Sequence, residues 1–294
     1  MSAPEKLKYL LSRASALYRD LGTTGLVHAG ENYIRYGSFR HDVIGALPGT
    51  EPIVDRYVRI GHRVWPTRYT DARPLKLLWV EPGTIDSDIS NSHIPPRFGR
   101  VFGGEWEVWA EDFEESTVFI SLQEHFEANV PWDQTEYYRR KRAKLAAGEP
   151  TRGCTSLKDL PGYFERIDAL YERMASDGYR TQRSLLTEAP SNTVALNLDA
   201  PTPTMNEIGV SIGPDGTLHR HFRGRHRLVI AKLLNVETVP VQVLVRHRDW
   251  QRMRSQLRRG VAVSEAIQHI PSLETETDLL GHPDLQDLIS KSEV

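Results

Sequence analysis

The chain has 294 residues, of which 39% are hydrophobic and 26% charged, with a formal net charge of −2. That is the composition of an ordinary globular protein able to build its own core in one large domain or two modest ones, and the charge argues against a dedicated nucleic-acid coat protein. A single cysteine, Cys154, excludes an internal disulfide framework and a CxxC zinc or redox site. No apolar run approaches the ~18–20 residues of a membrane span. Lys6, Lys8, Arg13, Arg19 and Asp20 interrupt the apolar residues that a secretory leader would need, so a cytoplasmic location is expected.

Residues 5–21 carry Leu7, Leu10, Leu11, Ala14, Leu17, Tyr18 and Leu21 at helical spacing, an amphipathic helix closed by Gly22. Its basic opposite face fits either a membrane surface or packing on the body of the protein. Residues 23–70 show little period. Leu75–Val80 reads as a buried strand, ended by the turn Glu81-Pro82-Gly83. Between 86 and 130, Arg100–Trp106 and Val118–Ile120 read as short strands and Gln123–Asn129 as a helical turn. Asp133 is placed to cap a helix running to about Ala147, with a basic stretch at Arg139–Lys144.

Phe164, Ile167, Leu170, Tyr171 and Met174 mark one face of the clearest helix, stopped at Asp177-Gly178. Residues 189–205 read as a loop. Ile208, Val210 and Ile212 alternate as a strand, Gly213–Gly216 is a hairpin turn, and Leu218–Phe222 is the returning strand. A helix then presents Leu228, Ala231 and Leu234 inward and ends at Asn235, which suits a left-handed position. Val239–Val245 is a buried strand and 249–259 a helix.

Charge is unevenly spread. Lys accounts for 8 of the 37 basic residues and Arg for 29. From Thr217 to Arg259 ten Arg and one Lys face Glu237 and Asp249, a local +9, whereas Val261–Val294 holds seven acids against Lys291, a local −6. The acidic tail can fold back on the basic segment or compete with an anionic ligand there.

The densest basic point is Arg223-Gly224-Arg225-His226-Arg227, at an expected helix start. A helix N-terminus offers backbone N–H groups and the positive end of a dipole, glycine admits close approach, and guanidinium forks match phosphate oxygens. The combination is suited to a phosphate or other anion. The alternative is a solvated turn whose arginines pair with the tail or with Glu and Asp of the stretch 86–150.

The run Phe222–Val243 (FRGRHRLVIAKLLNVETVPVQV) resembles the signature of the ParB/sulfiredoxin fold family, in which a strand leads through G-x-H-R or G-x-R-R into a helix, a short turn and V-P-V. Ser176–Gln182 is similar to the family's earlier box and Leu77–Pro82 to its first strand, so the likeness spans roughly 75–82 and 164–248. It implies an α+β, mixed-sheet domain over 71–250 with an insert at about 86–150, preceded by a helical or irregular extension at 1–70 and followed by a helix and acidic tail at 251–294. It also implies that Gly224, Arg225, His226 and Arg227, with Arg223 beside them, face the phosphates of a nucleotide such as CTP or ATP carried with Mg²⁺, with Gly178, Tyr179 and Gln182 nearby. The chain departs from the family in useful places. The sulfiredoxin nucleophilic cysteine is replaced by Arg225, which argues against sulfinic-acid repair. The aspartate of the free-serine kinases is replaced by Arg223, which puts kinase chemistry in doubt. Only 47 residues follow His247, many of them acidic, which argues against sequence-specific DNA binding.

Other constellations are weaker. His219, His221 and His226 have ligand-like spacing, but arginines surround them and no carboxylate close in sequence completes a metal set, so no metal site is assigned. No catalytic residue can be named, with Glu81, Glu105, Glu107, Glu124, Glu136 and Asp177 as the carboxylates on offer. Trp106, in the turn Gly103–Trp106, is a candidate for stacking on a base, and Tyr137 and Tyr138 beside the Arg139–Lys144 run for nucleic-acid contact or for a solvated helix face. The expected function is nucleotide or phosphorylated small-molecule binding, with nucleotide hydrolysis or phosphoryl transfer as the reaction class if it is an enzyme. The alternatives are a non-enzymatic regulatory module and a ParB-like nuclease. Homodimerisation stays open.

Overall fold

Ile208–Ile212 (β5) and Val239–His247 (β7) are buried at every position, not at alternate ones. That pattern belongs to strands covered on both faces, and the two lie side by side, parallel, at the centre of a sheet. A computed structural model describes residues 50–151, 153–188, 205–270, 279 and 281–289. The expected helix at 5–21 and nearly all of the expected loop at 189–205 lie outside the described residues. The chain divides into two compact units, residues 1–53 with 182–206, and residues 54–181 with 207–294. In the smaller one, Arg183 of the helix Gln182–Glu188 pairs with Glu51 at 2.7 Å.

The larger unit is mixed α/β. Its remaining strands are β1 (Leu77–Val80), β2 (Ser87–Ile89), β3 (Arg100–Phe102), β4 (Glu111–Asp112) and β6 (Leu218–His221). The order across the open sheet is β1-β7-β5-β6-β2-β4, with β3 continuing the β1 edge by pairing with the far end of β7. Orientation is mixed: β1–β7, β5–β6 and β2–β4 are antiparallel, while β5–β7, β2–β6 and β3–β7 are parallel. The expected hairpin forms, with the Gly213 N–H donating to the Thr217 carbonyl. The stretch 86–150, expected to be an insert, supplies three strands to this sheet.

The helices are α1 (Thr50–Val64), α2 (Thr117–Ala128), α3 (Glu136–Ala146), α4 (Leu160–Asp177), α5 (Gln182–Glu188), α6 (Arg225–Leu233), α7 (Arg248–Arg258), α8 (Val263–Ala266) and α9 (Gln286–Ile289). α6 is the pivot. Leu228, Val229, Ile230 and Ala231 are fully buried in the main core with Phe119, Leu122, Phe164 and Ile167 from α2 and α4. Its end is the expected one, with Asn235 at φ 50°. Val243 turns into this core, whereas Leu244 and Val245 both join a second cluster with Ile89, Ile94 and Trp106, because the pairing of β7 with β5 shifts register at that point and interrupts the alternation.

Three local expectations fail. α1 occupies part of the segment read as having little period. Its breakers are harmless, since Pro52 sits in the first turn, where no N–H partner is lost, and Gly61 lets the Tyr69 ring lie where a Cβ would be 2.7 Å from it. Val118–Ile120 is helical, not extended. Ser116 caps α2 by accepting from the Phe119 N–H at 3.3 Å, and the helix buries Val118 and Phe119 in the core with α6 while Ile120 faces outward. The cap of α3 is Thr135, not Asp133, which lies in the preceding 3-10 turn Trp132–Gln134.

The acidic C-terminal segment does fold back on the basic one. Asp284, buried, accepts from Arg246 Nε at 2.9 Å and from the Trp250 indole at 3.0 Å, and its backbone carbonyl accepts from Arg254. Arg254 also reaches Asp71 Oδ1 at 3.0 Å and Asp287 Oδ2 at 2.7 Å. Among the described residues the tail therefore meets Arg246 and Arg254.

Candidate functional site

Gly224 takes φ 76°, and a Cβ there would stand 2.7 Å from the Ile208 Cα of β5. The sequence needs glycine here for two reasons, a left-handed backbone and direct contact with the neighbouring strand. The glycine starts α6, and the first turn sends three side chains in three directions.

Arg225 turns toward β2, where it and Arg220 both donate to the carboxylate of Asp88. Asp88 and Arg220 are nearly buried, while Arg225 keeps 39% of its side chain exposed. His226 turns toward α3 and α4. Its Nε2 lies 3.2 Å from the Tyr137 hydroxyl and 3.5 Å from the Tyr163 hydroxyl, and the two hydroxyls are 2.5 Å apart. The Lys141 ammonium sits 3.9 Å over the Tyr163 ring. Arg227 turns into the core, donating to the Tyr179 hydroxyl at 3.1 Å and to Glu207 at 3.3 Å, and Tyr179 in turn donates to Glu207 at 3.2 Å. Burial, with the Glu207 carboxylate beside it, pushes the Tyr179 hydroxyl well above the ordinary tyrosine range, so it stays a donor.

Of the expected site residues, the fold brings Arg227 and Tyr179 into contact and places Arg225 and His226 on the same helix start. Arg223 is buried, its guanidinium 5.4 Å from the Phe98 ring centroid and 5.2 Å from that of Phe222. Gly178 ends α4 at φ 73°, with nothing within 4 Å of where a Cβ would be. Gln182 opens α5 of the smaller unit.

Sequence reasoning missed Asp88 and Glu207. Asp88 sits in a three-residue strand with no apolar period to announce it. Glu207 could have been noticed, as a charged residue directly ahead of an apolar strand. Asp88 belongs to the stretch 86–150 whose acids are the alternative partners of these arginines, and parallel pairing of β2 with β6 sets it opposite Arg220. Much of the local +9 is matched in the same way: Lys232 meets Glu114 at 2.7 Å, Arg258 meets Asp71 at 2.9 Å, and Arg246 and Arg254 meet the tail.

A cavity of about 490 Å³ opens beside Arg225, lined also by Asp88, Ser116, Thr117 and Arg140. Ser116 and Thr117 form the capped start of α2, so one helix start and two guanidiniums, that of Arg225 from the first residue of α6, border one space. Glu111, Asp112 and Glu115 line its remaining wall. Among the described residues no three His, Cys, Asp or Glu are grouped closely enough to hold a metal ion.

The three histidines separate. His219 and His221 share a strand face, with His219 Nδ1 2.7 Å from Ser87 Oγ and His221 Nδ1 2.8 Å from Ser211 Oγ, while His226 lies among the tyrosines. Burial lowers both strand histidines, His221 to about 4 from an ordinary 6.5. A histidine kept neutral in the fold contributes stability that is complete above its unfolded value. That contribution is lost as pH falls from 6.5 through about 4. Urea unfolding across that interval is expected to show a declining stability whose slope flattens in His221→Gln. An unchanged slope in the variant would assign the decline to other groups.

Trp106, the candidate for stacking on a base, is placed among core side chains. It is buried edge-on against His219 at 5.8 Å and tilted against His247 at 5.9 Å. Tyr137 and Tyr138 likewise turn inward, onto His226 and Phe164, and do not form a nucleic-acid face with the basic run. No family model matches the chain, and neither a curated protein nor a solved structure matches it. No helix among the described residues is long and apolar enough to cross a membrane.

Proposed function

We propose that this protein binds a nucleotide or another phosphorylated small molecule in the cavity beside Arg225, as a divergent ParB/sulfiredoxin-like protein. The observation that carries the reading is the convergence of the α2 start, Arg140 and the half-exposed Arg225, the first residue of α6, on one space of about 490 Å³. Helix starts and guanidiniums both favour phosphate oxygens. Asp88 holds the Arg225 fork in place, which lowers the cost of ordering a flexible cation at the moment of binding. The family likeness of Phe222–Val243 agrees with a phosphate at this helix start. Because the acids of the cavity are not grouped as a metal cage, a divalent cation would arrive on the ligand's own phosphates.

Isothermal titration with CTP, ATP, ADP and GTP, each with and without Mg²⁺, tests this reading. At least one nucleotide is expected to bind, and Arg225→Ala is expected to weaken it by about ten- to a hundredfold, the loss of one charge-assisted contact. Absence of binding by all four, or affinity unchanged in Arg225→Ala, removes the proposal.

A further inference from the structure

Within the larger unit, which holds residues 54–64 of helix α1, the helix packs through Val58 and Gly61. Val58 is buried, with its methyls lying where a Cβ on Gly99 would be 2.5 Å away, and Gly61 faces the Tyr69 ring. A stripe about a quarter turn from that side carries Ile53, Tyr57, Ile60 and Val64, spaced by four, three and four residues, followed by Trp65, with the Tyr57 hydroxyl 2.7 Å from that of Tyr69. At ~100° per residue these four fall in one stripe, yet all five residues are between 46% and 60% exposed. Arg56, Arg59 and Arg63 form a second row alongside the stripe, and Arg68 follows in the turn after the helix.

The chemistry of this surface is one-sided. Every exposed residue from Pro52 to Arg68 is apolar, aromatic, proline, threonine or arginine. The two carboxylates of the helix, Glu51 and Asp55, are half-buried, and Asp55 is engaged by Arg59. An apolar stripe flanked by arginines, with an indole at its end and no exposed acid, has the composition of a helix that lies in a membrane interface. The stripe enters the acyl boundary while the guanidiniums stay with anionic headgroups. A nucleic acid would use the arginines and leave the aliphatic stripe wet. An acidic protein partner would also fit the charge, but the flat arginine-plus-apolar arrangement asks nothing of its partner beyond negative charge over hydrocarbon.

We infer that this face of α1 docks the protein on an anionic lipid surface, lying on the bilayer and not crossing it. The full chain is mixed with sedimentable vesicles of phosphatidylcholine alone, or of phosphatidylcholine with phosphatidylglycerol, and the pelleted fraction measured. Binding is expected to the mixed vesicles only and to weaken with salt. Ile60→Asp is expected to reduce partitioning about thirtyfold, through lost burial and an added acid, and Arg63→Glu about fivefold or more. Both sites are exposed, so unchanged thermal unfolding of the variants shows that the fold is intact. Three results overturn the inference. The first is absence of binding to mixed vesicles. The second is binding that Ile60→Asp leaves unchanged, which would place the contact elsewhere in the chain. The third is a concentration-dependent dimer abolished by Ile60→Asp, which would make a second copy the occupant.

Discussion

Asp284→Ala is expected to lower the unfolding free energy by about 3–5 kcal/mol, the usual cost of removing one member of a buried charged group. The Asp284 and Arg246 side chains are each 2% exposed, so deletion of the carboxylate strands the Arg246 guanidinium away from water, while the fully buried Arg254 keeps Asp71 and Asp287. The Trp250 indole loses its acceptor as well. In a unit of this size the midpoint should fall by on the order of 10 °C. Asp287→Ala is the contrast: that carboxylate meets Arg254 too, but it is 40% exposed, and less than about 1 kcal/mol is expected. Chemical denaturation of both variants checks the pair. Equal losses in the two would mean that the group at Asp284 is effectively solvated.

Acid should act through the same group. Burial by itself would raise the Asp284 carboxyl, but Arg246 and Arg254 outweigh it and hold the group well below the ordinary 3.8; Asp71 is lowered in the same way against its own burial, by Arg254, Gln251 and Arg258. A carboxylate depressed in the fold contributes stability that is fully present above its unfolded value and disappears as pH falls through the folded one. The tail contact is therefore expected to survive the interval in which His221 protonates and to fail only below about 3.8.

Gly224→Ala is expected to cost roughly 2–4 kcal/mol, the sum of a left-handed backbone for a residue with a Cβ and a collision with β5. The obstructing atom is the backbone Cα of Ile208 at 2.7 Å, which cannot rotate aside. Relief requires α6 to move from β5, which would also displace Arg225 from Asp88, so nucleotide binding should decline with stability. Gly178→Ala, with φ 73° but open space around the position, should pay a local conformational cost of about 1–3 kcal/mol and leave binding intact. A stable, fully binding Gly224→Ala protein would show that the α6 start is not where the ligand sits.

The sequence by itself determined the central β5–β6–α6–β7 run. A buried apolar strand, a glycine-bounded turn, a helix with a left-handed terminus and a second apolar strand are written in local spacing, and local spacing is what dihedral preference and burial act on first. It also placed α4 and its glycine stop. Segments whose conformation is set by partners were not legible. Val118–Ile120 has the β-branched look of a strand, and the Ser116 cap with burial of Val118 and Phe119 in the core beside α6 goes with its helical form. α1 has its inward side chosen by Tyr69 and Gly99, so a period counted against an assumed core misreads it.

The site divides in the same way. Gly224 and the basic cluster could be read from the chain because turn geometry and charge density are local properties. Tertiary structure alone decided what each of them does. Arg227 went into the core with Tyr179 and Glu207, and Arg223 was covered by aromatic rings. Arg225 was left half-exposed at a cavity because β2 runs parallel to β6 and puts Asp88 within its reach. Strand pairing joins residues more than a hundred positions apart, and the energy of that pairing comes from burial of the whole sheet. No short stretch of sequence can therefore announce which carboxylate an arginine will meet.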